Sequence, residues 1–571
     1  MHFAVFHRIT SSCQPEIRMV FSRHYFRSHF MQDLGAGITV GIVALPLAIA
    51  FAIASGCTPG QGIFTAIVAG FIISFLGGSR FQIGGPTGAF VAIIASIMAQ
   101  FGYEGLCVAT FMAGMFLFLM GLFGLGQMLK YIPYPVTTGF TSGIALFIFS
   151  TQLREGLGIA AKPEGSSFLD HMNHAVSHMG EADPATLGLT LFTILVMVMV
   201  RRTIPKIPAH IVGILSASIL VCMLDVEVAT IGSRFGGIPA NLPSFRIPEN
   251  IWGLIPVMIP SALTIAFLGG IESLLSASVA DGMTGKRHNP DTELTAQGLA
   301  NMASACFGGL PATGAIARTA TSIRAGAHSP MAGIFHAITL ALSILCLAPL
   351  ASRIPMACLA GVLIIVAWDM GEIHKFITLL HSPAEDIFVM LVTFILTVFA
   401  GLTLAVQVGV VLAALLFMRR MAALAHFDLH PHTPSGDETL PIPGEAIQVY
   451  EIEGPFFFGV VNRFLDTFQF LNKPPAILIL RMRRVESIDA TAAHGLEIAI
   501  DRLQAQKTCV FICGLHPKVH KTMQQMQICP KIDEEHFFPS FSQALAAAQA
   551  MIQTDKMAHT RAHGETEGLY G

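Results

Sequence analysis

Long apolar runs recur through the first three quarters of the chain, each closed by a short polar or Gly/Pro-rich break. Fourteen apolar segments result. Seven lie near 34–54, 61–77, 86–100, 105–127, 135–152, 185–200 and 208–224, and seven near 256–279, 294–308, 312–325, 331–350, 355–369, 385–400 and 403–420. A helix needs about 20 apolar residues to cross the bilayer hydrocarbon. The third and tenth segments begin after a break and are predicted to cross only half of it. Backbone that stops inside a membrane must line a protein-buried cavity, because lipid cannot satisfy its N–H and C=O groups.

The pattern changes after Arg420. Residues 426–444 are polar and carry Pro431, Pro434, Pro441 and Pro443, which reads as a linker. Strand-like runs at 446–453, 476–481 and 509–513 then alternate with amphipathic helical stretches, the order of a small α/β domain. The predicted organisation is a leader at 1–33, an all-α polytopic membrane domain at 34–425, the linker 426–444, the α/β domain at 445–552 and a polar tail at 553–571.

The two sets of seven carry a shared mark. Thr87-Gly88-Ala89 and Thr313-Gly314-Ala315 are the same triplet 226 residues apart, and the same offset carries the run near Gly35 onto that near Ser261. Each triplet follows a break, Gly84-Gly85-Pro86 in one half and Gly308-Gly309-Leu310-Pro311 in the other. Interrupted apolar segments at matching positions of two halves point to a transporter's binding site.

Composition agrees with a membrane protein: 53% of the residues are hydrophobic and 12% charged, against about 25% charged in soluble domains. A net charge of −3 gives no nucleic-acid signature. With fourteen spans both termini share a side. That side carries fifteen Lys and Arg residues, from Arg8 to Arg420, against Arg154, Lys162, Arg234, Arg246 and Arg353 opposite. The positive-inside rule therefore places both termini in the cytoplasm, and the plasma (cell inner) membrane is the expected location. The leader has no small-residue cleavage site and reads as retained. The ten cysteines form no CxxC pair, so neither zinc nor a disulfide framework is expected, and His426, His430 and His432 read as solvated loop histidines. No cofactor is implied.

Ionisable residues are nearly absent within the spans, and two stand out, Glu272 and Arg318. Intramembrane charge is costly unless paired or solvated, which makes both candidates for function. Two half-helices would aim unpaired N–H groups and positive dipole ends at one point near the midplane. The N–H groups of Gly88, Ala89, Gly314 and Ala315, with the hydroxyls of Thr87 and Thr313, would then cradle an anion, and Arg318 would add a full charge. Glu272, if protonated, would let an anion and a proton travel together. The alternative is a structural Glu272–Arg318 pair that locks two helices.

Four stretches resemble the SulP (sulfate permease) anion-transporter family: Asp33-Leu34-Gly35-Ala36-Gly37-Ile38-Thr39-Val40-Gly41, Gly84-Gly85-Pro86-Thr87-Gly88-Ala89, Glu272-Ser273-Leu274-Leu275-Ser276 and Ala315-Ile316-Ala317-Arg318-Thr319. The C-terminal part resembles the STAS domain (sulfate transporter and anti-sigma-factor antagonist). The resemblance implies a seven-plus-seven inverted repeat and a core domain moving elevator-like against a gate domain. It also implies a homodimer in lipid, with a small inorganic or carboxylate anion held between the third and tenth helices. Sodium-using bicarbonate relatives carry Asp at the place of Glu272 and Thr at that of Ser276. Glu272 and Ser276 thus read as an ion-coupling pair better suited to a proton than to sodium. Ala317 stands where some animal members have Ser. Ser487-Ile488-Asp489-Ala490-Thr491-Ala492 resembles the loop that anti-sigma antagonists phosphorylate, with Thr491 in the acceptor place. The alternative is a plain helix cap.

The function expected is secondary active transport of a small anion of the sulfate, bicarbonate or dicarboxylate class, by proton symport or exchange. An anion channel or a sensor signalling through the STAS domain is the rival reading. A nucleobase permease would want acidic residues in both core helices, whereas the tenth segment offers Arg318. An enzyme is the least expected reading, since no nucleophile–base constellation or metal-ligand spacing appears.

Overall fold

The computed structural model describes residues 15–567 apart from 22–24, 26–27, 130–132, 162–164, 166, 205–206, 247–250, 424–425, 431–445 and 470–473. The chain divides into two units, Met1–Ala413 and Ala414–Gly571.

The first unit is helical. Its first half holds α1 (Phe30–Ala54), α2 (Pro59–Leu76), β1 (Gly84–Gly85), α3 (Val91–Leu122), α4 (Tyr134–Leu157), α5 (Phe168–Ser177), α6 (Pro184–Thr203) and α7 (Ala209–Leu224). The second holds α8 (Ile251–Thr284), α9 (Pro290–Cys306), β2 (Thr313–Gly314), α10 (Ile316–Arg324), α11 (Met331–Ala351), α12 (Met356–Met370), α13 (Ala384–Phe399) and α14 (Leu402–Ala423), the last of which runs across the division. Among the described residues nine helices are long and apolar enough to cross a membrane. Within Val91–Leu122 two helices meet at a kink at Gly102, whose φ of +62° and ψ of −166° are not helical, so the third and fourth predicted segments are separate helices. Only glycine takes that angle cheaply.

Helices α1, α2, α3, α8, α9 and α11 pack as one bundle, and α4, α6, α7, α12 and α13 as another. In the first, α3 and α9 meet backbone to backbone. A Cβ on Gly298 would stand 2.4 Å from the Phe118 nitrogen and 2.6 Å from the Gly114 carbonyl oxygen. Small residues let membrane helices approach this closely. Asp33, fully buried at the start of α1, accepts from the Tyr25 hydroxyl at 2.7 Å and from the His328 N–H at 2.6 Å.

In this bundle β1 and β2 cross antiparallel, Gly84 opposite Gly314 and Gly85 opposite Thr313. Relative to the helix starts the two Thr-Gly-Ala triplets stand two residues out of step. Thr87 is the N-cap of the 3-10 turn that leads into α3, while Thr313 and Gly314 are strand and Ala315 is the N-cap of α10.

The second unit is a five-stranded sheet, β3 (His426–His430), β4 (Ile447–Glu453), β5 (Ile477–Arg484), β6 (Cys509–Cys513) and β7 (Phe537–Phe538), in that order. The first pair is antiparallel and the others parallel. Leu478 and Leu480 pack beneath α16 (Ala490–Ala505), after α15 (Val461–Gln469), and beneath α17 (Pro517–Gln525); Ile477 and Ile479 face α18 (Phe541–Glu567). Alternate residues of one strand thus feed two cores. Two boundaries differ from expectation. The linker's first five residues are edge strand β3, whose His-Phe-Asp-Leu-His pattern is too short and polar to stand out, and α18 continues to Glu567 through most of the predicted tail. His426 and His430 lie in that strand, His432 lies outside the described residues, and no group of metal-binding side chains forms among the described ones.

Candidate functional site

Both half-helices begin at the β1–β2 crossing. After Thr87, in extended backbone, Gly88–Phe90 makes one 3-10 turn that leads into α3. After Ala315, also extended, α10 begins at Ile316. The first turn of a helix leaves its N–H groups unpaired. Among the described residues no hydrogen bond occupies the N–H groups of Gly88 and Ala89 on one side, or of Ile316, Ala317 and Arg318 on the other.

The residues predicted from the second triplet are spent on architecture. The Thr313 hydroxyl, fully buried, donates to the Gly269 carbonyl of α8 at 2.8 Å. The Ala315 N–H donates to the Ile83 carbonyl at 2.9 Å. A Cβ on Gly314 would stand 2.1 Å from Gln82 Nε2, so only glycine fits there. Thr87, Gly88, Ala89 and Arg318 stand at the helix starts, and Thr313, Gly314 and Ala315 build the crossing behind them.

Arg318 is 3% exposed and lies beneath β1. Its Nη2 donates to the Pro86 carbonyl at 3.0 Å, which ties one repeat to the other. Its Nη1 has no hydrogen-bond partner. A Cβ on Gly85 would stand 2.4 Å from that nitrogen. The Glu272–Arg318 pair weighed as an alternative is not formed among the described residues. Glu272, half-buried on α8, accepts from the Thr87 hydroxyl at 3.2 Å. Ser276 is one turn further along the same face. It is fully buried and donates to Thr319 Oγ1 at 3.1 Å, and that oxygen also accepts from the Ile83 N–H at 3.1 Å. A hydroxyl chain thus joins α8 to α10 behind Glu272.

Three further buried polar residues shape the site. Glu293, fully buried in the first turn of α9, accepts from the Gly78 and Ser79 N–H groups at 3.0 and 3.2 Å and from Gln82 at 2.9 Å. Gln82 also donates to Ser273 at 2.6 Å, so one side chain braces the loop before β1 against α8 and α9. In sequence Glu293 looks like an acidic first-turn residue of a capped helix, and nothing there signals its burial. His336, fully buried on α11, has neither ring nitrogen hydrogen-bonded. It packs beside Gly70 of α2, over which the Gly84 carbonyl also stands.

In the second unit Asp489 caps α16, accepting from the Ala492 N–H at 2.8 Å and the Phe458 N–H at 3.0 Å. Thr491 is exposed in that helix's first turn.

Comparison with known proteins bears on both units. Residues 30–393 match the model of the sulfate permease family, and residues 442–544 that of the STAS domain. The putative sulfate transporter YvdB of Bacillus subtilis is 39% identical over 519 residues, covering 90% of this chain and 97% of that protein. The bicarbonate transporter BicA of Synechocystis is 30% identical over 537 residues, 90% of this chain and 94% of that protein. The inward-facing structure of the murine solute carrier 26 family member A9 anion transporter superposes with a TM-score of 0.83 at 16% identity, over 94% of each chain, a likeness of fold.

Proposed function

The chain belongs to the sulfate permease family, whose members are transporters and not enzymes, and from that premise we propose that it carries a small oxyanion of the sulfate or bicarbonate class across the membrane. The observation that carries this is the Arg318 guanidinium, buried with one nitrogen unpartnered beside two helix starts with open N–H groups. A buried cation left half-satisfied is costly. An anion held at Gly88, Ala89, Ala317 and Arg318 repays that cost with charge-assisted hydrogen bonds. The bundle holding the crossing acts as the moving core, and the bundle of α4, α6, α7, α12 and α13 as the gate.

In the same reading transport is proton-coupled, with Glu272 as the proton carrier and Ser276 supporting it. The protein works as a homodimer in the plasma membrane with both termini in the cytoplasm. Thr491 is a regulatory phosphorylation position, since its exposed hydroxyl stands at a helix N-terminus, where added phosphate is favoured. The test is uptake of radiolabelled sulfate and bicarbonate into proteoliposomes. Accumulation above the outside concentration when the lumen is alkaline is expected for one of them. Equilibration without accumulation would instead rule out coupled transport and leave a channel or an uncoupled carrier.

Removal of residues 442–571 is expected to leave anion affinity unchanged within about twofold, because every residue at the crossing lies upstream and well-separated sites act independently. Sulfate and bicarbonate binding to the purified truncated protein, beside its melting temperature, checks this. Loss of all binding in a well-folded preparation would place part of the site downstream.

A further inference from the structure

A cavity of 440 Å³ opens on the face where α1 ends, lined by Cys57, Ala95, Thr151, Arg154, Glu155 and Arg234 among others. It stops short of the half-helix site. Phe51 and Ile148 close on Gly88, where a Cβ would stand 3.2 and 3.4 Å from their side chains. Ala50, one residue before Phe51, and Thr151, about one turn beyond Ile148, belong to the cavity.

Its charged groups are arranged against ordinary helix chemistry. Glu155 sits in the last turn of α4, whose end carries a partial negative charge that disfavours a carboxylate. It is also 15% exposed. Two guanidiniums hold it there: Arg154, equally shielded, on one carboxylate oxygen, and Arg234, from the short helix Ile231–Phe235, on the other. Two cations on one anion leave one positive charge in the cavity among its described residues. His171 of α5 adds a neutral imidazole, which burial and then the Arg154 charge hold below its ordinary pKa. Thr151 and Gln152, bonded to each other at 2.9 Å, line the same wall.

We propose that this cavity is a second anion site, an entry subsite in which Arg154 and Arg234 bind a small oxyanion when Glu155 gives up one of them. Glu155 is then a tethered competitor. It neutralises the arginines in the empty cavity, and its release lets an incoming sulfate or bicarbonate take a forked contact of the same shape. The bound anion would stand between the open face and the Phe51–Ile148 closure. This rests on the oxyanion-transport reading for its biological meaning, while anion binding in the cavity is measurable without transport.

The test uses full-length purified protein carrying Arg318→Ala, which weakens the half-helix site, and equilibrium binding of radiolabelled sulfate, with the Glu155 and Arg234 variants deciding which site the residual binding belongs to. Weak, salt-sensitive sulfate binding is expected to persist. Glu155→Gln should strengthen it roughly five- to tenfold by freeing both guanidiniums. Arg234→Gln should abolish it, and Arg234→Lys should restore part, which separates loss of charge from loss of fold. Absence of binding in the Arg318→Ala background, or no gain with Glu155→Gln, overturns the subsite. If the wild-type protein moves no anion in vesicles while the Glu155 and Arg234 effects hold, the transport reading fails and the subsite stands.

Discussion

Arg318→Ala is expected to weaken anion binding ten- to a hundredfold, since a charge-assisted hydrogen bond contributes roughly 1.5–3 kcal/mol. The guanidinium is proposed to do two tasks at once, with Nη2 on the Pro86 carbonyl and the unpartnered Nη1, which lies beneath Gly85, available to the anion. Arg318→Lys is therefore expected to recover only one of them. A single ammonium cannot hold the carbonyl and also present a second donor in a fixed plane. Two measurements on one preparation separate the tasks. A lower melting temperature reports the lost tie between repeats, and a raised dissociation constant for sulfate or bicarbonate in the folded fraction reports the lost anion contact. Normal affinity in folded Arg318→Ala protein would reduce the residue to a cross-repeat fastener.

Much of this was legible in the chain, and the illegible part has a physical reason. Apolar runs with breaks declare a membrane domain because lipid tolerates nothing else. Two charges in those runs point to the site because unpaired charge there is costly. Register was not legible. Thr313-Gly314-Ala315 copies Thr87-Gly88-Ala89 in letters, yet Thr87 caps its helix start while Ala315 caps α10, which puts the triplets two residues out of step. The Thr313 hydroxyl and the Ala315 N–H turn to Gly269 and Ile83, and the open N–H groups fall on Ile316, Ala317 and Arg318. Contacts made only by folding were hidden for the same reason. The brace from Glu293 through Gln82 spans 211 residues of sequence, and the hold of Arg234 on Glu155 spans 79. Edge strand β3 was hidden differently, because five polar-flanked residues carry too little alternation to be told from linker.

Glu272→Gln is expected to keep anion binding and lose proton coupling. The carboxylate touches Thr87, at the start of one half-helix, and no cation offsets it among the described residues. Ionised, it repels an anion held one residue away at Gly88; protonated, it does not, and that difference links the two fluxes. Glutamine keeps the shape and the contact with Thr87 but has no proton to lose. Uptake by this variant should run downhill at any pH and cease to accumulate anion when the vesicle lumen is made alkaline, with a melting temperature close to wild type. A purely structural Glu272 predicts the reverse: a lower melting temperature and uptake that still follows the proton gradient. The absence of an ion pair with Arg318 favours the first outcome, since there is no pair for the substitution to break. A stable Gln variant that still accumulates anion against its gradient would remove Glu272 from the coupling step and move the search to a fully buried carboxylate of the same bundle, Glu293.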